Sequence, residues 1–209
     1  ASMAGIGTLA AGQWEEIQAT SPEVQTGGTR GMFVGGTGSA TIDYVTISTT
    51  GNAITFGDLT MGRAESGGFA NRTRALAAGA PVPGSNNTID FWTISSTGNA
   101  QDFGDLLAAT GNAQNMAGFA NQIRGILAGG YAVPGGYENK IQYLTIASKG
   151  NTAEFGSLTT ALAGVGSGIA SKTRGITHGG YDSGGTSQNT MEYVTISTLG
   201  NAADFGDMN

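Results

Sequence analysis

One histidine and a set of recurring aspartates are the residues of this 209-residue chain whose types suit acid–base or metal chemistry. His178 occupies a strand position where the other copies of its motif carry Val34, Ala78 and Ala128. A histidine can act as a general base or a metal ligand near neutral pH. With one histidine and no cysteine, however, the usual ligand sets for zinc, copper and haem iron are not available. We therefore interpret His178 as a substituted strand residue, and we predict no catalytic residue, no metal and no cofactor.

The aspartates lie in a recurring Phe-Gly-Asp motif, at Asp58, Asp105 and Asp207. Two carboxylates can hydrolyse a glycosidic bond, but such a pair is built once per active site and not once per repeat. The recurrence favours a structural role in which each carboxylate pairs with an arginine or accepts backbone N–H groups at a sheet edge. The chain also lacks a G-x-S-x-G motif and a phosphate-binding loop with its lysine. We predict that the protein is not an enzyme, and a glycan-active enzyme is the least favoured alternative.

The arginines recur as well, and four of the six occupy one position, at Arg30, Arg74, Arg124 and Arg174. A guanidinium group carries five hydrogen-bond donors in a fixed planar arrangement. Such a set predicts contacts that join each repeat to its neighbour. The alternative is a ring of four arginines around a central anion.

These residues belong to a sequence that is written four times. "IDYVTISTTGNAITFGDL" begins at Ile42, and close copies begin at Ile89, Ile141 and Met191. Each copy predicts three short strands, in the first copy at residues 29–36, 41–48 and the segment that ends on "FGDL". A Gly-Asn pair joins the second strand to the third and predicts a tight hairpin with positive φ. A fourth strand is predicted in the stretch before each arginine.

The second strand carries apolar residues on both faces, since Ile42 and Tyr44 point one way while Val45 and Ile47 point the other. A sheet covered on both sides is typical of a propeller blade between its neighbours. We predict an all-β protein, a single-domain β-propeller over residues 1–209 with four blades of about 50 residues. A larger ring completed by a second chain is the alternative. The repeats are expected at about 29–72, 73–122, 123–172 and 173–209, with an additional or closing strand in 1–28.

Composition narrows the classes of partner. Only 11% of the residues are charged, the net charge is −6, and no basic cluster is present. These values predict no binding to nucleic acid, whose phosphates require lysine and arginine. No apolar stretch reaches the length of about 18 residues that a membrane-spanning helix needs, so we expect no membrane insertion. No signal peptide is visible in the sequence.

The whole unit, with its Gly-Gly-ended strand, its aromatic strand and its "FGDL" strand, is similar to a kelch-type β-propeller repeat. More closely, "TRG…GG…YVTISTTGNA…FGDL" resembles the glycine-rich kelch-like repeats of structural and tail-associated proteins of marine bacteriophages. The resemblance covers residues 29–208. Repeat two departs from it at Ala75 and Ala80, and repeat three carries Ser157 in place of the aspartate. The resemblance implies a binding or structural role on a virion or another extracellular surface.

The connection between the first and second strands is the part that varies between repeats. It grows from "TGSA" at 37–40 to "PVPGSNN" at 81–87 and to nine residues at 131–139 and 181–189. Variable loops on a constant framework are a common place for binding sites. Aromatic faces beside carboxylates and amides suit sugar rings, so we predict that these loops recognise a glycan or a protein. The candidate ligand-binding residues are Tyr131, Tyr137, Glu138, Asn139, Tyr181, Asp182 and Asn86.

We therefore expect a non-enzymatic binding module whose partner is a glycan or a host-surface receptor. A purely structural virion component that contacts other virion subunits is the alternative, and a homo-oligomer is compatible with both.

Overall fold

The computed structural model describes residues 28–79, 87–107, 112–133, 135–166 and 168–209, together with the backbone of two short strands. These are β1, Leu9–Ala10, and β2, Gln13–Trp14, and they pair antiparallel. All regular structure in the described ranges is β-strand, which confirms the predicted all-β class. In these ranges no helix is long and apolar enough to cross a membrane. The rest of the segment 1–28, apart from its last residue, lies outside the described residues.

Four antiparallel sheets contain most of the strands, and they are numbered here along the chain. Sheet 1 consists of β3, β4 and β5, at Arg30–Val34, Thr41–Thr46 and Ile54–Asp58. Sheet 2 consists of β6 to β9, at Gly67–Ala70, Arg74–Ala78, Thr88–Thr93 and Gln101–Asp105. Sheet 3 consists of β11, β12, β15 and β16, at Ala117–Ala120, Arg124–Ala128, Lys140–Thr145 and Ala153–Ser157. Sheet 4 consists of β17 to β20, at Ile169–Ala170, Arg174–His178, Thr190–Thr195 and Ala203–Asp207.

A fifth, smaller sheet of three strands is built from segments between these elements. Its strands are β10, β13 and β14, at Asn112–Gln114, Tyr131–Val133 and Gly136–Tyr137.

Each of the four larger sheets is an antiparallel meander whose strands lie side by side in the order in which they occur along the chain. The three predicted strands are present in all four sheets, and the fourth strand predicted before the arginine is present in sheets 2, 3 and 4. That strand pairs with the arginine-containing strand that follows it, for example β6 with β7. Each of these sheets therefore begins several residues before the arginine that marks the sequence repeat.

The Gly-Asn pair lies between the second and third strands, but the tight turn precedes it. In sheet 1 the Thr49 amide donates to the Thr46 carbonyl, and this turn reverses the chain before Gly51. The glycines at 98, 150 and 200 have φ near +155°, a conformation that side chains rarely adopt, while none of the four asparagines has positive φ. The glycine amide bonds to the preceding sheet instead, as Gly98 does to the Phe56 carbonyl at 2.9 Å.

The four sheets stack face to face, and the core lies between them. For each sheet, the front face is the one that meets the preceding sheet and the back face is the one that meets the following sheet. Leu76, Phe91 and Phe103 on the back of sheet 2 pack with Leu127 and Ile146 on the front of sheet 3. Sheets 1 and 2, and sheets 3 and 4, pack in the same way. The apolar character of both faces of the second strand is explained by this arrangement.

Close packing fixes a glycine at one position of the repeat. A Cβ atom on Gly125 would lie 1.9 Å from the ring of Phe69, and one on Gly175 would lie 2.0 Å from the ring of Phe119. Each phenylalanine comes from the first strand of the preceding sheet, β6 or β11, and no side chain fits between ring and backbone. Sheet 2 carries Ala75 at this position. The described part of sheet 1 has no strand before its arginine-containing strand to supply a ring there, so the methyl group fits.

Buried polar groups also join the sheets. Asp90 on the front of sheet 2 is fully buried and accepts hydrogen bonds from the amide and hydroxyl of Thr60 at 3.0 and 2.6 Å. It forms an ion pair at 3.1 Å with Arg63, which is also fully buried. Arg63 donates in turn to the carbonyls of Gly79 and Thr88. A buried charge pair of this kind depends on both partners being present.

We expect Gly175→Ala to lower the free energy of unfolding by about 1–3 kcal/mol, because the new methyl group must displace the Phe119 ring. Gly31→Ala is the matched control at the same repeat position, where the nearest atom is a flexible Val45 methyl at 3.3 Å. It should change stability by less than about 0.5 kcal/mol. Urea unfolding of both variants measures the difference, and equal effects would contradict the ring–glycine packing.

We also expect Arg63→Leu to destabilise the protein by about 3–5 kcal/mol, because the carboxylate of Asp90 would remain buried without its partner. Arg72→Leu is the control, since Arg72 is exposed. Thermal unfolding of the two variants should separate them clearly. A small effect at Arg63 would show that the ion pair contributes little to the stack.

Candidate functional site

The strand order places all the variable connections at one edge of the four sheets, here called the loop edge. Successive strands run in opposite directions, so the connection after β7 and the chain that leaves β9 emerge at the same edge. The segment that crosses to the next sheet therefore passes beside the loops. The four variable connections follow β3, β7, β12 and β18. The one that follows β7 lies outside the described residues at 80–86.

In sheet 3 the loop is a small hairpin with an aromatic pair. The rings of Tyr131 and Tyr137 meet edge to face, with centroids 5.3 Å apart and planes at 88°. Both tyrosines are half-buried. Beside them, the Glu138 carboxylate lies 3.5 Å from the ammonium group of Lys140, and both side chains are partly exposed. This loop presents an aromatic surface next to a charged pair.

In sheet 4 the loop is shaped by one carboxylate. Asp182 accepts hydrogen bonds from the amides of Gly184 and Thr186 at 2.9 and 3.0 Å, and from the side-chain amide of Gln188 at 3.0 Å. Its role in the structure is thus to hold the turn. The neighbouring Tyr181 is 47% exposed and lies against Gly164, where a Cβ atom would collide with the ring.

The segment between sheets 3 and 4 joins these two loops. The Leu162 carbonyl accepts from the Gly130 amide at 2.7 Å, and the Leu162 amide donates to the Glu138 carbonyl at 3.1 Å. One residue later, Ala163 exchanges two backbone hydrogen bonds with Tyr181, at 3.0 and 2.9 Å. Both candidate loops are therefore fixed to one segment of backbone, at Leu162 and Ala163.

The opposite edge of the sheets, the framework edge, is nearly the same in every repeat. It carries the hairpin turns between the second and third strands and the short turns before each arginine. At Asn71 and Asn121 the side-chain oxygen accepts two backbone amides of its own turn, while the side-chain nitrogen donates to the following repeat at Gln122 and Lys172. This edge contributes to the stack and varies little.

The recurring arginines also bond to the following repeat. Arg74 donates to the carbonyl of Ile146 at 2.8 Å and Arg124 to that of Ile196 at 2.9 Å. Arg30 bonds to the corresponding carbonyl of Ile94. Each guanidinium also lies over an aromatic ring of its own sheet, at 4.4 to 5.1 Å in the four repeats.

The recurring aspartates do not pair with these arginines. The side chains of Asp58, Asp105 and Asp207 are exposed, and the described residues give their carboxylates no ion pair. At this position the backbone makes the contact, since the amides of Asp58 and Asp105 donate to the side-chain oxygens of Asn99 and Asn151. This bond between sheets explains why an asparagine recurs in the Gly-Asn pair.

The remaining candidates are placed as follows. Asn139 is exposed, and its carbonyl accepts the amide of Leu158 at 2.7 Å. Asn86 lies outside the described residues. His178 is half-buried on β18, with its ring against Gly166. Among the described residues no three histidine, aspartate or glutamate side chains come together as a metal site.

Sequence reasoning missed a buried polar position on the second strand. It is occupied by Asp90, Gln142 and Glu192 in sheets 2 to 4, all less than a tenth exposed. Each accepts a backbone amide of the preceding repeat, from Thr60, Leu107 and Thr159. A polar residue at the same place in four otherwise apolar strands was the signal that could have revealed it.

Comparisons with known proteins find no protein-family model that matches the chain and no curated protein with a significant match.

We expect Asp182→Ala to loosen the sheet 4 loop, because three donors lose their common acceptor. Hydrogen exchange at the amides of Gly184 and Thr186 should accelerate at least about tenfold, with a loss of global stability of about 1 kcal/mol or less. Asp207→Ala removes an exposed aspartate without such bonds and should leave those two amides unchanged. Unaltered exchange in the Asp182 variant would show that the turn holds without its carboxylate.

Proposed function

We propose that this protein is a non-enzymatic binding module that recognises a glycan through its loop edge. The observation that carries the proposal is the separation of the two edges. The framework edge repeats the same contacts, whereas the loop edge differs in length and chemistry from sheet to sheet. A rigid stack with variable loops on one side is a common way to present a binding site.

The chemistry of the loop edge favours a sugar. Tyr131 and Tyr181 lie on two loops that bond to the same backbone segment, at Leu162 and Ala163. Tyrosine rings stack on the C–H faces of sugars, and their hydroxyl groups reach water or a ligand hydroxyl. Glu138 and Lys140 add an acceptor and donors beside the rings. A protein receptor at the host surface is the other partner that suits such a surface.

The proposal takes the four sheets as kelch-like blades of a β-propeller, on a virion or another extracellular surface. Four-stranded meanders stacked face to face are the form of such blades. The first strands of sheets 2 and 3, which would be the innermost strands of such blades, approach closely. A Cβ atom on Gly118 of β11 would lie 2.3 Å from the Gly68 carbonyl oxygen of β6. This crowding supports a common axis near the innermost strands.

A second candidate is a structural component that assembles with other virion subunits. It is favoured by the apolar side chains exposed on the outer sheets, among them Ile47, Ile169 and Phe205. Exposed apolar surface of this kind is typical of protein–protein contacts.

A glycan-array screen of the purified chain tests the proposal, with the affinity of any ligand then measured in solution. We expect Tyr131→Ala and Tyr181→Ala each to weaken binding at least about tenfold, which corresponds to about 1.4 kcal/mol. Ile123→Ala is the control, since Ile123 is exposed on the framework edge and should leave affinity unchanged. Binding that survives both tyrosine substitutions would place the site elsewhere. A chain that binds no glycan would contradict the proposal and favour the second candidate, assembly with other virion subunits.

A further inference from the structure

The two outer faces of the stack differ from their interior counterparts in burial. Ile47 on the front of sheet 1 is 66% exposed, whereas Ile94, Ile146 and Ile196 at the same position are 8%, 0% and 0% exposed. Phe205 on the back of sheet 4 is 46% exposed, whereas Phe56, Phe103 and Phe155 are each 3% exposed. The residue types are the same, so the higher exposure of Ile47 and Phe205 reflects the lack of a neighbouring sheet on the two outer faces in the described part of the chain.

Apolar side chains accompany these residues on both outer faces. Phe33 on the front of sheet 1 is exposed, whereas Ala77, Leu127 and Thr177 at the same position on the fronts of sheets 2 to 4 are buried. On the back of sheet 4, Ile169 is exposed at the position where Phe69 and Phe119 are buried against the next sheet. Each outer face is thus one half of the contact that the stack forms three times internally.

The polar contacts are also present as two halves. Arg174 lies over the Tyr193 ring like its counterparts, but the described residues offer it no carbonyl of a following repeat. The matching acceptor is the carbonyl of Ile47, which corresponds to those of Ile94, Ile146 and Ile196. Because this bond runs from the back of one sheet to the front of the next, the unused donor on the last sheet matches the unused acceptor on the first.

Two further positions follow the same rule. Asn99, Asn151 and Asn201 each accept the amide of the preceding "FGDL" strand, and the corresponding Asn52 faces no preceding sheet among the described residues. Asp43 occupies the buried polar position of Asp90, Gln142 and Glu192, but in sheet 1 this position is only half-buried. At the last sheet, the corresponding donors are the backbone amides of Asp207, which matches Asn52, and of Asn209, which matches Asp43.

One hydrogen bond of the internal contact has no counterpart at this end of the stack. Ser171 replaces the asparagine whose side chain donates to the following repeat at positions 71 and 121.

We propose that the back of sheet 4 binds the front of sheet 1 of a second copy of this chain, by the contact that joins consecutive sheets within the chain. In this contact Arg174 donates to the partner's Ile47 carbonyl, and the Phe205 side chain packs against the partner's first sheet. The two surfaces are different, so the association is head to tail, and it closes into a ring or extends according to its rotation. The proposal concerns the ends of the stack and is independent of glycan recognition at the loop edge.

Sedimentation of the full chain over a range of concentrations tests the proposal. We expect a species of at least twice the mass of one chain. Ile47→Arg and Phe205→Arg should each weaken association by at least about thirtyfold, because a charge replaces a side chain at the centre of the contact. Ile123→Arg is the matched control: Ile123 is 65% exposed, like Ile47, but lies in the turn before β12 at the framework edge of an interior sheet. It should leave the mass unchanged, and circular dichroism should show that all three variants are folded.

Mixing the variants tests the direction of the contact. The Ile47→Arg variant keeps the back of sheet 4 intact, and the Phe205→Arg variant keeps the front of sheet 1 intact. An equimolar mixture should therefore form a pair joined by one intact contact, whereas neither variant should form such a pair alone. A front-to-front contact would instead leave Phe205→Arg fully associated, and that result overturns the proposal. A wild-type chain with the mass of one copy at every concentration also overturns it, since the outer faces would then be covered within the chain.

Discussion

The stack depends on one constraint: each sheet is apolar on both faces and needs a neighbour on both sides. Ile89 and Phe91 on the back of sheet 2 are buried by sheet 3, while Trp92 and Ile94 on the front are buried by sheet 1. Burial of one such side chain is favourable by about 1.5–3 kcal/mol. A single sheet of this composition would expose the apolar side chains of both its faces, so the repeats stabilise one another and we do not expect them to fold as independent units.

The contacts between sheets have a direction, and this sets their specificity. Arginine side chains reach forward along the chain to a carbonyl of the next sheet, as Arg74 does to Ile146. Asparagine side chains of the next sheet reach back, as Asn99 does to the Asp58 amide. An apolar contact alone would tolerate several registers, because it is not directional. The hydrogen bonds select one register, and the Phe69 ring on Gly125 excludes a shift by one residue.

The sequence predicted the strands and the stacking better than it predicted the polar contacts. Hydrophobic and β-branched runs report local structure, so the strands at Thr41–Thr46 and its three copies follow from pattern alone. The repeat spacing of the arginines indicated a structural role for them, but a hydrogen bond between residues about 70 positions apart does not appear in a local pattern. The aspartates illustrate the limit, since recurrence indicated a role for the carboxylate, whereas the backbone of Asp58 makes the contact. The buried Arg63–Asp90 pair lies in one sheet junction only, so no recurrence marked it.

The loop edge can vary because its loops are held by their own residues and by the segments that connect the sheets. The sheet 4 loop is held by Asp182, which accepts hydrogen bonds from three donors two to six residues further along the chain. The sheet 3 loop is held by the pairing of β13 with β14 and by the contact of its two tyrosines. Neither set of bonds contributes to the apolar contact between sheets, so a change in loop length leaves that contact intact. The framework edge has no such freedom, because its asparagine turns bond to the next repeat. The difference between the two edges is therefore a consequence of where the stacking contacts lie, and it leaves the loop edge as the part of the surface that can change in length and sequence without loss of the fold.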